Sequence, residues 1–91
     1  MLATTRAYNG FYLQIESNQL YRRIVVATVP ITPLGRSVTV SQWAGNDRQF
    51  TSTPVIDWSP GVNESIEDAR RFAQAIDLAA VIAADITSWL E

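Results

Sequence analysis

Residues 65–90 (SIEDARRFAQAIDLAAVIAADITSWL) leave this chain few folds to choose from, because they read as one long amphipathic helix that must lay an apolar stripe on something. Ser65 supplies a capping hydroxyl, and Glu67 and Asp68 put negative charge beside the unpaired amides of the first turn. Ser65 and Asp68 have the spacing of a capping box, with Asp in place of the usual Glu. At about 100° per residue, Phe72, Ile76, Ala79, Ala83, Ile86 and Leu90 fall in one stripe, with Ala69 and Ala80 at its edge. Arg70, Gln74, Asp77 and Ser88 take the opposite side.

The second half of this segment breaks the pattern. Residues 78–84 (LAAVIAA) are apolar without interruption, and Leu78, Val81 and Trp89 project outside the stripe. One sheet covers one side of a helix. Either a loop shelters these residues or they stay exposed, which is ordinary for a few apolar side chains, or they meet another surface. The last alternative assigns Leu78, Val81, Ile82 and Trp89 to a protein interface, in a homodimer or with an unknown host or cognate protein.

The rest of the chain is rich in strand formers. Leu2–Tyr8 runs into Asn9-Gly10, the two-residue signal of a type I′ hairpin. Over residues 11–16, Phe11, Leu13 and Ile15 alternate with Tyr12, Gln14 and Glu16, so the first set belongs in the core. Ser17-Asn18 marks a turn, and residues 19–29 (QLYRRIVVATV) form the longest strand candidate, β-branched on both faces as a central strand would be. Pro30, Pro33 and Gly35 make residues 30–35 a loop whose Ile31 and Leu34 are apolar enough to close one end of the core.

Residues 36–44 alternate again, with Val38, Val40 and Gln42 opposite Thr39, Ser41 and Trp43, and Gly45-Asn46-Asp47 reads as a turn. Residues 49–58 form a last strand in which Pro54 forces an edge position or a split, and Ser59-Pro60-Gly61 delivers the chain to the helix. The expected fold is α+β. A four- or five-stranded antiparallel β-meander over residues 1–58 is followed by one long C-terminal α-helix over 65–90, packed on one face of the sheet in a single domain spanning 1–91.

The residue inventory closes off much chemistry. The 91 residues include no cysteine, histidine or lysine, so disulfides, thiolate or imidazole metal sites, a histidine base and Schiff-base catalysis are unavailable. Carboxylates remain, but Asp57 and Glu64 flank the loop before the helix, and Asp77 and Asp85 lie two turns apart at different angles. A glycosidase-type pair also needs a cleft that one sheet and one helix seldom provide. The expectation is a non-enzymatic protein without cofactor or metal. Nothing after Met1 resembles a leader, and the longest apolar run is far too short to span a membrane, so a cytoplasmic location is expected.

A nucleic-acid reading competes with the protein interface. The face opposite Phe11, Leu13 and Ile15 presents Tyr12, Tyr21 or Arg22, Trp43 and Arg48, and aromatics beside arginine are the ingredients of a single-strand stacking surface. Charge weighs against it. The net charge is −2, and no basic cluster exceeds Arg22-Arg23.

Residues 55–84 (VIDWSPGVNESIEDARRFAQAIDLAAVIAA) resemble the ending of small uncharacterised proteins of actinobacteria and their phages. In these a last strand, a loop, a capping residue, two acids and Ala-Arg lead into an Ala-rich helix. The matching positions are Ser65, Glu67, Asp68, Ala69, Arg70, Ala73, Ala75 and Ala80. The resemblance implies a sheet-plus-helix fold and a bacterial or phage source, and no catalytic residues. The resulting expectation is a phage or bacterial regulator or inhibitor that acts by binding protein.

Overall fold

The computed structural model describes residues 2–27, 37–58 and 65–90, with Leu2 and Ala3 as backbone alone. The expected loop carrying Ile31 and Leu34, and the connection through Ser59, Pro60, Gly61 and Glu64, lie outside these residues. Five antiparallel strands stand side by side in chain order: β1 (Leu2–Tyr8), β2 (Phe11–Ser17), β3 (Tyr21–Ala27), β4 (Ser37–Trp43) and β5 (Val55–Trp58). Helix α1 (Ile66–Ala84) and a short α2 (Ile86–Leu90) follow. This is the expected meander with a helix on one face, in its five-strand form.

Local chemistry sets the turns. Asn9 and Gly10 take φ of 49° and 79°, the left-handed pair of a type I′ turn, and Tyr8 is brought opposite Phe11. At the next corner the Asn18 side chain accepts from the amides of Leu20 (2.7 Å) and Tyr21 (2.9 Å), holding Gln19 and Leu20 in the turn. The third strand therefore starts at Tyr21, two residues later than the 19–29 candidate. The last strand keeps only Val55–Trp58, directly after Pro54 and at the sheet edge, because proline has no amide to give a ladder.

Alternation decides which side chains meet the helix. Phe11, Leu13, Ile15, Ile24, Val26, Val38 and Val40 are buried against Phe72, Ala75, Ala79, Ile82 and Ile86. Helix α1 lies chiefly across β4, with lesser contact to β3 and β5. Ala75 and Ala79 are wholly buried, and their small side chains let the helix backbone come close to the sheet. The seam thus includes Ala75 and Ile82, while Ile76, Ala83 and Leu90 flank it half-buried. The helix is rotated by roughly 40° from the stripe expected.

The single long helix is also corrected. Ser65 caps α1 as expected, accepting from the Asp68 amide at 3.1 Å, but the helix ends at Asp85, whose φ of −152° and ψ of 64° leave helical space. The Asp85 amide bonds back to the Ile82 carbonyl at 3.1 Å, a tightened last turn, and the chain restarts as α2. That break drops Ile86 into the core and carries Trp89 over to β1, where its ring meets Tyr8 edge-on at 5.0 Å.

Candidate functional site

The helices occupy one face of the sheet, and no other described element lies on the opposite one. Strand parity fixes what that outer face shows. In the ladder register Glu16, Arg23, Ser41 and Val55 form one cross-strand row; Thr5, Gln14, Val25, Thr39 and Asp57 form the next. Tyr12 ends the face on one side, in a row with Ala27 and Ser37, and Tyr21 pairs with Trp43 at the other. Trp43 and Val55 are 61% and 60% exposed, and Tyr12 is 38% exposed, so three large apolar side chains stand out on this face. Leu20 in the adjoining turn is 65% exposed, and its carbonyl accepts from the Ala44 amide at 2.8 Å.

The charges on this face neutralise one another. Arg23 reaches across to Glu16 with a nitrogen–oxygen distance of 2.6 Å, and the Tyr21 hydroxyl donates to the same carboxylate oxygen at 3.1 Å. The hydrogen bond from Arg23 holds the Glu16 carboxyl below its ordinary pKa; burial opposes that effect, and the Tyr21 hydroxyl reinforces it. Arg23 also lies over the Tyr21 ring at 5.2 Å, and that ring is 5.3 Å from Trp43. Asp57 is the remaining described charge on the face.

The expected nucleic-acid residues are only partly brought together. Tyr12, Tyr21 and Trp43 do share the outer face, but Tyr12 is about 20 Å along the strands from the Tyr21–Trp43 pair. Arg22 is a correction: it faces the helix side, donating to the Thr87 hydroxyl at 3.0 Å and lying 4.0 Å over the Phe50 ring. Its parity with Ile24 and Val26 was the available signal. Arg48 sits in the turn after β4 at a φ of 61° and donates to the Gln19 side chain, at the Trp43 end of the sheet. Reading residues singly missed Glu16 and Arg23, because their pairing exists only across the β2–β3 ladder.

The expected helical interface is also corrected. Ile82 is fully buried in the chain's own core, and Leu78 and Trp89 are half-buried against that core. Of the four, Val81 alone remains exposed, at 58%. The cause is the rotation of α1 together with the break at Asp85, which direct Ile82 and Trp89 inward onto the sheet. The exposed side of α1 keeps Val81 and Ile66, the latter 75% exposed, among alanines and polar residues, whereas the exposed tryptophan Trp43 stands on the outer sheet face.

Two further placements bear on chemistry. Among the described residues no three acidic side chains come close enough to hold a metal ion together. Nor is any described helix long and apolar enough to cross a membrane. Compared with known proteins, the chain matches no family model, no curated protein and no solved structure.

Proposed function

We propose that this chain is a small non-enzymatic interaction module, a regulator or inhibitor of bacterial or phage origin working in the cytoplasm, that binds a partner protein through its outer sheet face. The observation that carries the reading is the exposure of Trp43, Val55 and Tyr12 on a face that no described element covers. Tryptophan and tyrosine supply much contact area with few torsions to freeze, which is why they anchor interfaces. The flat centre, built from Gln14, Val25 and Thr39, admits close approach. Pairing of Arg23 with Glu16 neutralises the arginine that the strands present on this face, which favours protein over a polyanion.

The test compares retention of proteins from source-cell lysate on the immobilised wild-type chain and on Trp43→Asp, Val55→Asp and Val81→Asp. The reading expects a protein held by the wild type and by Val81→Asp and lost with either sheet variant. Loss with Val81→Asp alone would return the contact to α1. Quenching of tryptophan fluorescence by a mixed-sequence single-stranded oligonucleotide at low salt, abolished by Arg48→Glu, would replace protein with nucleic acid.

A further inference from the structure

The two edges of the sheet are built differently. Strand β5 is four residues long, follows Pro54 and carries Asp57, features that discourage pairing by another strand. Strand β1 has none of them. It is seven residues long, free of proline and glycine, and in continuous register with β2 from Leu2 opposite Ser17 to Tyr8 opposite Phe11. Thr4 through Tyr8 are all exposed, and the single charge, Arg6, turns toward α2, donating to the Trp89 carbonyl at 3.4 Å and lying 5.7 Å over its ring.

The hairpin decides which backbone groups of β1 are spoken for. A type I′ turn makes Tyr8 and Phe11 a hydrogen-bonded pair, so Arg6 and Thr4 bond to β2 in alternation. The amides and carbonyls of Ala3, Thr5 and Ala7 then point off the open edge, where no other described strand lies.

We propose that β1 pairs antiparallel with β1 of a second copy of this chain, about a two-fold axis through Thr5, so that two sheets become one. In this register Thr5 exchanges both backbone bonds with Thr5 of the copy, and Ala3 does the same with Ala7, giving about six bonds between the copies. The arrangement is self-complementary, as a two-fold contact must be. Each residue meets one of equal parity, so both helical layers lie on the same side and the outer faces run on as one surface. Arg6 is set opposite Thr4 of the copy, so no like charges face each other directly. The Tyr8–Trp89 contact anchors the strand to its own subunit. This pairing uses the edge and is independent of what binds the outer face.

Light scattering on the full-length chain across a concentration series tests it, with amide hydrogen exchange followed by NMR. The expected result is twice the mass of one chain, with the Ala3, Thr5 and Ala7 amides protected at high concentration and released on dilution. Thr5→Pro removes an outward amide and spares the β1–β2 bonds, so it should yield a folded species of half that mass. Thr5→Lys keeps the backbone donor and sets like charges together at the axis, so dimer affinity should fall by about tenfold or more. A single-chain mass at all concentrations would overturn the proposal. So would a dimer in which these amides exchange freely, or one that survives both Thr5 variants and dissociates with Trp43→Asp.

Discussion

At the residue scale, side chains that join distant parts of the chain matter most. Arg71 on α1 donates to the Asn9 carbonyl at 2.8 Å and lies 3.8 Å over the Phe11 ring, tying the helix to the first hairpin turn. Gly10 makes room for it: with φ at 79°, a side chain there would be strained and would collide with the Arg71 guanidinium. Gly10→Ala is expected to lower stability by about 1–2 kcal/mol, read from urea unfolding. If Arg71→Ala abolishes part of that penalty, the collision with the guanidinium contributes to it. The Glu16–Arg23 pair leads to a pH prediction. Because the folded carboxyl titrates below its ordinary value of 4.5, its contribution is complete above that value and disappears as pH falls through the lowered pKa. Glu16→Gln should therefore reduce stability by about 1 kcal/mol at neutral pH. That difference should close on acidification, seen by comparing urea midpoints of the two proteins.

At the element scale, the orientation of α1 is the testable quantity. Ile82 is wholly buried and its neighbour Val81 is mostly exposed, although the sequence presents them as equivalent members of one apolar run. Ile82→Ala should destabilise by about 2–5 kcal/mol, since it leaves a cavity against the sheet. Val81→Ala should change stability by less than about 0.5 kcal/mol. Equal effects in urea titrations would mean the helix is seated otherwise. The strands were more legible than the helix. Alternation over Phe11, Leu13 and Ile15, and over Val38, Val40 and Gln42, located the core face directly. Gln42 fits that face because its amide donates to the Ser52 carbonyl at 2.7 Å, satisfying its donor end where it is buried.

For the whole molecule, one sheet with a single helical layer keeps its core on one face and leaves the other without a described covering element. The helix-covered face holds the hydrophobic core, and the outer face holds Trp43, Val55 and Tyr12 with little burial. Trp43→Ala should accordingly cost under about 1 kcal/mol in unfolding experiments while removing partner retention. A large loss of stability instead would mean the outer face is structurally engaged. Each strand pairs with its sequence neighbour, so the topology needs no long-range strand crossing before the helix docks.

The sequence by itself determined the α+β class, the Asn9-Gly10 turn, the Ser65 cap and the buried sets on β2 and β4, because turns, caps and two-residue alternation are local, whereas the order of the five strands was decided by their pairing. The angular seat of α1, the break at Asp85, the inward turn of Trp89 and the cross-strand Glu16–Arg23 pair were decided by tertiary structure. A helix apolar around much of its circumference can lie on a sheet in several rotations that its own periodicity does not separate. The buried alanines facing β4 and the docking of Trp89 on Tyr8 select one of them, and with it which surface the protein leaves open.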